Sequence, residues 1–310
     1  MTGAGGPGKV ICLGINNVDL IYGLKLSELG PDTKIMTRAA TTLIGGQCVN
    51  AAATLAGLGL DVAYVGTRGS DGNGDLVRRF LMERGIDASG CVVAEGMPNT
   101  TALIFVDEAS GERCIVVTTP EGYPSHPGLV DEALWRAGAY LYLDGNEIEA
   151  ALRMAVEARR RGIPTLADVE SLNERTRALI GTVDTAIVPL GIGTALAGTA
   201  DHSAMLEALR AAGPSRAAVT LGPDGAVGID ADGRIHRVPA VAVTAVDTTG
   251  AGDAFHAGFL FADVSGASFA EALSFGALVA AEKCRVPGPS LPVPLLRSCR
   301  ARFDATSIAS

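Results

Sequence analysis

The most informative segment of this chain is Val246-Asp247-Thr248-Thr249-Gly250-Ala251-Gly252-Asp253-Ala254-Phe255. An extended run, residues 240–246, precedes it, and the apolar residues after it predict a helix over residues 251–264. Gly250 and Gly252 let the backbone bend sharply, and they leave the N–H groups of the first helical turn open to an anion. Asp253 lies within that same turn.

The chemistry of this turn depends on Asp253. A phosphate bound by the N–H groups, with a carboxylate beside it, is an arrangement for phosphoryl transfer, because the carboxylate accepts the proton of an attacking hydroxyl while the positive helix end stabilises charge. An aspartate in a first helical turn is also a common structural feature, since it complements the helix dipole. The turn alone leaves both interpretations open.

Length and composition favour a large, soluble, globular α/β chain. The 310 residues are 48% hydrophobic and 19% charged, which is typical of a folded domain with an extensive core. The net charge of −9, without a dense basic run, argues against a nucleic-acid partner. We expect a flexible, glycine-rich tail over residues 1–8 without a signal peptide, and a single domain over residues 9–310.

The cysteines and the apolar runs predict a cytoplasmic protein. The six cysteines are scattered without a C-x-x-C pair, so their spacing predicts neither a zinc site nor a disulfide framework. No apolar segment approaches the ~20 residues needed to span a membrane, so no membrane partner is expected. Residues 3–8 match G-x-G-x-x-G, but no strand precedes them, and a nicotinamide dehydrogenase is therefore not supported.

The order of predicted elements indicates a mostly parallel sheet with helices on both faces. Apolar strands alternate with amphipathic helices, which is typical of α/β folds. Four more polar strands, at about residues 21–26, 34–42, 100–107 and 113–119, do not fit that alternation. They predict a separate small sheet, with a hairpin turn at residues 108–112. The other predicted strands are residues 10–15, 61–66, 140–143, 164–168, 185–188 and 217–221, and the helices are residues 47–58, 71–85, 148–161, 173–183 and 202–212.

Several polar or glycine residues follow predicted strand ends, where ligands bind in open α/β sheets. They are Asn17 with Asp19, the pair Gly45 and Gly46, Asp144, Gly222 and the turn at residues 250–253. Asp19 and Asn50 suit a polyol, since a carboxylate and an amide bracket neighbouring hydroxyls. The structural alternatives are that Asn17 is an ordinary turn residue and that the two glycines form a tight bend.

Two spaced segments resemble the signatures of the PfkB family of carbohydrate kinases, which includes ribokinase. The second signature, D-T-x-G-A-G-D, is similar to residues 247–253, and the family's nucleotide loop T-x-G-x-x-G is similar to Thr220-Leu221-Gly222-Pro223-Asp224-Gly225. The first signature is similar to Gly45-Gly46-Gln47-Cys48-Val49-Asn50-Ala51-Ala52, followed by Gly66-Thr67-Arg68-Gly69-Ser70-Asp71-Gly72-Asn73-Gly74. The resemblance covers almost the full length of the chain.

The resemblance implies a ribokinase-like three-layer α/β/α fold and ATP-dependent phosphorylation of a sugar hydroxymethyl group. Asp253 would be the base, and the backbone of Gly250, Ala251 and Gly252 the anion hole. The small sheet, from about residues 17–43 and 97–119, would be a lid over the sugar and the surface of a homodimer. The substrate-binding residues would be Asn17, Asp19, Gly45, Gly46, Asn50 and Asp144. The nucleotide-binding residues would be Thr220, Gly222 and Gly225, with Ala280 and Cys284 from a helix over residues 269–284.

The resemblance also implies ATP and Mg²⁺, with K⁺ as an open expectation near Asp247 and Thr249. The chain departs from the family at two points. Residues 189–193 lack the N-x-x-E glutamate that positions magnesium, so the metal ligand is unknown, and Gln47 stands where the ribokinase branch usually has lysine. The endings at residues 253–256 and 283–288 resemble ketohexokinase-like and sulfofructose-kinase-like members. His256 is expected to pack inside its helix.

The substrate remains open between several classes. A neutral sugar is the first expectation. A phosphosugar or sulfosugar kinase would need basic residues at the far end of the sugar, for which the lid offers Lys25, Lys34, Arg38 and Arg113. An aromatic content of 5% argues weakly against a nucleoside (adenosine-like) kinase, whose base wants stacking partners. A non-catalytic regulator that binds sugar or nucleotide is a further alternative, and the intact turn at residues 250–253 argues against it.

Overall fold

The computed structural model describes residues 8–37, 40–107 and 113–307. The predicted tail, apart from Gly8, the hairpin turn at residues 108–112 and Arg38 all lie outside these residues. The strands are β1 (Lys9–Leu13), β2 (Asn17–Leu24), β3 (Ala40–Gly45), β4 (Val62–Val65), β5 (Thr67–Gly69), β6 (Val92–Ala94), β7 (Thr101–Asp107), β8 (Arg113–Thr118), β9 (Gly138–Asp144), β10 (Thr165–Asp168), β11 (Thr185–Pro189), β12 (Arg216–Thr220), β13 (Ala226–Ile229) and β14 (Ile235–Val238). The helices are α1 (Gln47–Gly57), α2 (Gly72–Glu83), α3 (Glu132–Ala137), α4 (Ile148–Arg161), α5 (Glu174–Ile180), α6 (Leu190–Ala197), α7 (His202–Ala212), α8 (Ala251–Val264), α9 (Phe269–Cys284) and α10 (Val293–Ser307).

The large sheet has eight strands in the order β14-β13-β12-β11-β10-β9-β1-β4. The strands from β12 to β4 are parallel, and β13 and β14 extend one edge as an antiparallel hairpin. The chain reverses its strand order beside β1, so the carboxyl ends of β1 and β9 form a crevice of the kind where α/β proteins bind ligands. The prediction of a mostly parallel sheet is confirmed.

Alternate residues of the central strands pack against two different helical layers. In β1, Val10 and Cys12 belong to the core formed with α1, α2, α8, α9 and α10. Ile11 and Leu13 belong to the core formed with α3, α4, α5 and α7 on the other face. Because both faces of a parallel sheet are covered, its strands are apolar throughout rather than alternating. The predicted three-layer α/β/α architecture is therefore confirmed.

The small sheet has four strands in the order β3-β2-β7-β8. β2 runs parallel to β7, and the two outer strands are antiparallel to their neighbours. The sheet is thin: Val18, Ala102 and Ile104 are buried, whereas every side chain described in β8 is exposed. The prediction of a separate small sheet is confirmed, with β3 beginning at Ala40 rather than at residue 34. Its role as a lid stays a prediction.

The extended run at residues 240–246 is not a strand. The backbone N–H groups of Val246 and Asp247 donate to the carbonyl oxygen of Cys284, at 2.7 Å and 3.2 Å, so this segment is a loop held by the end of α9. The sequence did not predict β13 and β14, which extend the large sheet beyond β12. It also missed α3, α6 and α10. α8 and α9 coincide with the helices predicted for residues 251–264 and 269–284. Within the described residues, no helix has the length and apolarity to cross a bilayer.

Candidate active site

The turn before α8 has the shape that its glycines predict. Gly250 adopts the left-handed conformation, with φ of 74°, and a Cβ atom there would lie 2.2 Å from the carbonyl oxygen of Pro289. A Cβ atom on Gly252 would meet no atom within 4 Å, so the first turn of α8 faces open space at that point. The N–H of Ala251 closes the turn by donating to the carbonyl of Thr248 at 3.2 Å. The open side at Gly252 is where an anion can approach.

Asp253 is held in the first turn of α8 by a residue from another helix. Its side chain is buried, and Asn50 Nδ2, on α1, donates to Asp253 Oδ2 at 2.8 Å. Ser290 Oγ donates in turn to Asn50 Oδ1 at 3.2 Å. The Asn50 amide therefore lies between a hydroxyl and a carboxylate, which fixes its orientation. The geometry places Asn50 beside the predicted base, a relationship that the sequence did not indicate.

Burial perturbs the ionisation of Asp253. Burial and the nearby charge of Asp168 together raise the pKa of Asp253 to about 8, and the hydrogen bond from Asn50 opposes the shift. A carboxyl group with a raised pKa near neutrality is suited to accept a proton from a substrate hydroxyl. Burial likewise raises the pKa of Asp168 to about 8, with a contribution from the charge of Glu170.

Asp168, at the carboxyl end of β10, was not among the predicted site residues. The hydroxyl of Tyr142 donates to Asp168 Oδ2 at 3.0 Å, whereas Oδ1 is buried without a hydrogen-bond partner. Glu170 follows two residues later and is exposed. The charges of Asp168 and Glu170 both raise the pKa of Asp253, so both carboxylates lie close enough to interact with it. The position of Asp168 at a strand end is the sequence signal that could have identified it.

His256 packs inside α8, as expected. The ring is 3% exposed; Nδ1 lies 2.7 Å from the carbonyl oxygen of Gly252, and Nε2 lies 3.3 Å from that of Ile187. Nε2 is also 3.4 Å from Asp168 Oδ1. Burial lowers the pKa of His256, whereas its contacts with the carbonyl oxygens of Gly252 and Ile187 raise it. His256 therefore supports the first turn of α8 from below.

Asn17 and Asp19 form a polar pair at the start of the small sheet. Asn17 Nδ2 donates to Asp19 Oδ1, and burial raises the pKa of Asp19 to about 6 although this hydrogen bond lowers it. A Cβ atom on Gly45, opposite on β3, would lie 2.2 Å from Asp19 Oδ2. Gly46 has φ of 103°, so the tight bend that the sequence left open is present. Glycine is needed at both positions because the carboxylate and the backbone approach so closely.

Asp144 is fully buried at the carboxyl end of β9. Its Oδ2 accepts from the backbone N–H of Ile15 at 2.8 Å, and Oδ1 accepts from that of Asn146 at 3.0 Å. Burial raises the pKa of Asp144 to about 7. Both carboxylate oxygens of Asp144 already accept a backbone hydrogen bond, which a sugar hydroxyl would have to share. This arrangement favours a role for Asp144 in holding the loops after β1 and β9. Asn146 also donates to Gln47 Oε1 at 2.5 Å, which ties α1 to the same crevice.

The predicted nucleotide loop joins β12 to β13. Gly222 and Gly225 have φ of 61° and 93°, and the N–H of Gly225 donates to the carbonyl of Gly222 at 3.1 Å. Thr220 ends β12. Ala280 and Cys284 are half-buried in the last part of α9, whose end is bound to the loop at residues 246–247. The nucleotide contacts of these residues stay predictions.

A buried lysine lies where the sequence suggested a monovalent cation. Lys283 Nζ donates to the carbonyl oxygens of Asp247 and Val286, at 2.9 Å and 3.2 Å. The Asp247 carboxylate accepts from the backbone N–H of Thr249 and of Gly288, both at 2.8 Å. Within the part of the chain that the structure describes, no cluster of three or more His, Cys, Asp or Glu residues could hold a metal ion.

Two surface cavities differ in their relation to this turn. A cavity of about 350 Å³ lies between the small sheet and the loop before α8, and Ile21, Ile104 and Thr248 are among the residues that line it. A groove of about 570 Å³ is lined by α3 and α4, in the helical layer opposite α8. The first cavity shows that the small sheet lies beside the loop that leads into the turn. The second has no connection with Asp253.

The sequence pattern of the pfkB family carbohydrate kinases matches residues 8–296, and the chain belongs to that family. This membership and its kinase relatives make the chain a carbohydrate phosphotransferase. Among its relatives, the ATP-dependent ribose-1-phosphate kinase of Halopiger xanaduensis is 30% identical over 222 residues, which cover 70% of this chain and 72% of the relative.

Solved structures share the whole fold. The adenosine kinase of Sinorhizobium meliloti superimposes with a TM-score of 0.80 at 26% identity, covering 98% of this chain and 100% of that one. Arabidopsis thaliana ribokinase, solved with ribose and ATP, gives a TM-score of 0.82 at 23% identity, covering 96% of this chain and 98% of that one. These relatives and structures act on, or were solved with, different substrate classes, so the family membership leaves the substrate open.

Proposed function

We propose that the chain transfers the γ-phosphoryl group of ATP to a hydroxymethyl group of a sugar, with Asp253 as the base. The observation that carries the proposal is the position of Asp253: it is buried in the first turn of α8, held by Asn50, and adjacent to the open side of Gly252. ATP is supported by the ATP-dependent relative at 30% identity. Ribose-1-phosphate is the acceptor of that relative, and we treat it as one candidate among several.

The proposed reaction needs one proton transfer and one phosphoryl transfer. The hydroxymethyl O–H gives its proton to the ionised Asp253 carboxylate as its oxygen attacks the γ-phosphorus, and ADP leaves. The N–H groups of Gly250 and Gly252, that of Ala251 once it leaves the carbonyl of Thr248, and the positive end of α8 stabilise the charge on the transferred group. The raised pKa of Asp253 makes it a better proton acceptor than an exposed aspartate once it is ionised.

The sugar would lie between this turn and the small sheet. Asn17 and Asp19 present an amide and a carboxylate at the mouth of the crevice, and these groups can bind neighbouring hydroxyls. Closing the small sheet over the sugar would exclude water, which otherwise competes with the sugar hydroxyl for the phosphate.

Asp168 and Glu170 fit the requirements of a magnesium site. Mg²⁺ takes one or two carboxylates together with substrate phosphates, and Asp168 Oδ1 is a buried acceptor without a hydrogen bond, with His256 Nε2 3.4 Å away. We assign these two carboxylates the part that the family's missing N-x-x-E glutamate plays. When bound, the ion would neutralise charge on the phosphates. Residues 189–193, which lack that glutamate, form the end of β11 and the start of α6.

The edge strand β8 supports a homodimer through the small sheet. Ile115, Val116 and Val117 are 55%, 47% and 62% exposed on a strand that, among the described residues, pairs only with β7. An exposed apolar edge strand is a template for pairing with another chain, here a second copy of this one. Light scattering of Val117→Glu tests the interface, and the matched control is Met82→Glu, which changes an equally exposed residue on α2. A wild-type monomer at micromolar concentration would exclude this dimer.

A cytoplasmic setting is part of the same proposal. All six cysteines are free thiols, which suits a reducing compartment, and the proposed co-substrate ATP is found there.

Magnesium-dependent release of ADP, measured across a substrate panel, tests the function. The panel contains neutral keto- and aldo-sugars, phosphosugars, a sulfosugar and nucleosides, with ³¹P NMR to identify the phosphorylated product. Asp253→Asn should fold, bind ATP and lose at least ~10²-fold in turnover, the scale for losing a positioned base. Turnover near wild type in this variant would remove Asp253 from the role of base, and silence of the wild type across the panel would favour a binding function.

A further inference from the structure

Lys283 is a buried cation that the proposed reaction does not use. Its side chain has no solvent exposure, near the end of the mainly apolar helix α9. A buried ammonium group is costly unless polar groups replace its water. Here carbonyl oxygens do so: Nζ donates to Asp247 O at 2.9 Å and to Val286 O at 3.2 Å. The buried ammonium group of Lys283 is therefore stabilised by hydrogen bonds to these two carbonyl oxygens.

The ammonium group joins the two loops that form the active-site turn. Asp247 lies in the loop that leads into α8, and Val286 lies in the loop between α9 and α10. The same two loops meet twice more: Gly288 N–H donates to Asp247 Oδ2 at 2.8 Å, and the carbonyl of Pro289 stands against Gly250. One residue further on, Ser290 reaches Asn50, the partner of Asp253. A shift at Lys283 would thus be transmitted to the anion-binding turn and to the base.

The partners of Lys283 are those that an alkali cation takes. Backbone carbonyl oxygens replace the hydration shell of K⁺ in proteins, and a carboxylate supplies the balancing charge. The Asp247 carboxylate supplies it here: although burial opposes the shift, hydrogen bonds from Thr249 and Gly288 and the charge of Lys283 lower the pKa of Asp247. A covalently attached ammonium group in such a set of oxygens fills a cation site permanently.

We propose that Lys283 is a tethered monovalent cation that holds the turn before α8, so that catalysis does not depend on K⁺ or another free monovalent ion. Lys283 is a positioning residue, since it acts through Asp247 and the turn rather than on the substrate. The inference rests on the proposed kinase function only in its activity readout. It replaces the expectation of a K⁺ site near Asp247 and Thr249.

An ion panel with two variants tests this role. Lys283→Ala removes the ammonium group and leaves a space lined by its carbonyl partners, whereas Lys283→Met fills the same space without charge. Turnover and melting temperature are measured at constant ionic strength in tetramethylammonium, Na⁺, K⁺ and NH₄⁺ chloride. Wild type should be unchanged across the panel. Lys283→Ala should lose about 10²-fold in turnover in tetramethylammonium, the scale for a small displacement near reacting atoms.

Rescue separates a cation site from a merely structural lysine. K⁺ or NH₄⁺ should restore at least a tenth of wild-type turnover to Lys283→Ala and raise its melting temperature with a saturable dependence, and neither ion should change Lys283→Met. Activation of the wild type by K⁺, or a response of Lys283→Ala that is identical in all four salts, would overturn the proposal. If Lys283→Ala does not fold, the wild-type panel decides alone. The melting-temperature readout holds even if no substrate is phosphorylated, so failure of the kinase assignment is distinguishable.

Discussion

Asn50 Nδ2 donates a hydrogen bond of 2.8 Å to Asp253 Oδ2 across 203 residues of sequence. This bond connects the first signature of the family, on α1, with the second, on α8. It favours the ionised form of Asp253, in opposition to burial and to the charge of Asp168. The pKa of Asp253 therefore depends on its own burial in the second signature, on Asn50 in the first signature and on Asp168 at the end of β10.

The first prediction concerns Asn50→Leu, which preserves size but removes the donor to Asp253. Because the base acts only when ionised, kcat/KM of the wild type should rise with pH through the raised pKa of about 8. In the variant this limb should move to higher pH by about one to two units, since a hydrogen bond to a charged group contributes roughly 1.5–3 kcal/mol. The measurement is the pH dependence of kcat/KM for the sugar. An increase in KM with an unmoved limb would mean that Asn50 serves only as a sugar ligand.

The second prediction concerns the stability of Asp253→Asn. In the folded state Asp253 holds its proton up to a pH of about 8, whereas in the unfolded chain an aspartate loses its proton near pH 3.9. Between these values the folded state binds more protons, so the free energy of unfolding falls as pH rises. Asparagine removes this loss and still accepts the Asn50 hydrogen bond.

Urea unfolding at pH 4 and pH 8 measures this difference. Asp253→Asn should be more stable than wild type at pH 8 by at least about 1.4 kcal/mol, the equivalent of one pKa unit, and similar to it at pH 4. Asp232→Asn is the control, because its carboxylate is 70% exposed. Equal stabilities at both pH values would show that the pKa of Asp253 is not raised.

The boundaries of α8 and α9 were predictable because they depend on local signals. Gly250 starts one helix, and a capping box between Ser268 and Glu271 starts the other. The contact between Asn50 and Asp253 was not predictable, because it requires α1 to pack beside α8. The buried positions of Asp168 and Lys283 likewise follow from tertiary packing. The available signal for Lys283 was a charged residue among the apolar residues of α9. Its carbonyl partners, Asp247 and Val286, could not be inferred from that signal.

The third prediction compares two glycines of the turn. Gly250→Ala places a side chain on a left-handed residue and a Cβ atom 2.2 Å from the carbonyl oxygen of Pro289, so it should lower the free energy of unfolding by about 1–2 kcal/mol or more. Gly252→Ala meets no atom and replaces glycine inside a helix, so it should fold at least as well as wild type. Its methyl group stands on the open side of the turn, however, and should reduce turnover. Full activity of Gly252→Ala would show that the phosphate does not bind on the open side of Gly252.

The fourth prediction concerns Glu170→Gln and the metal. Glu170 lies two residues beyond Asp168 and contributes to the raised pKa of both Asp168 and Asp253, so its charge acts on the centre of the site. If it positions Mg²⁺ with the nucleotide, the variant should need about 10-fold more Mg²⁺ for half-maximal turnover, the scale for losing a supporting carboxylate. Mn²⁺ binding in the presence of a non-hydrolysable ATP analogue, followed by electron paramagnetic resonance, should weaken to the same extent.

Glu174→Gln is the matched control for this experiment, since Glu174 is an exposed carboxylate at the start of α5. The loss of one negative charge is the same in both variants, so a general electrostatic effect would change both alike. An effect confined to Glu170→Gln places the metal at the carboxyl end of β10, beside Asp168. An unchanged Mg²⁺ requirement in Glu170→Gln would leave Asp168 and the phosphates to bind the ion, because the described residues contain no group of three or more His, Cys, Asp or Glu that could hold a metal ion.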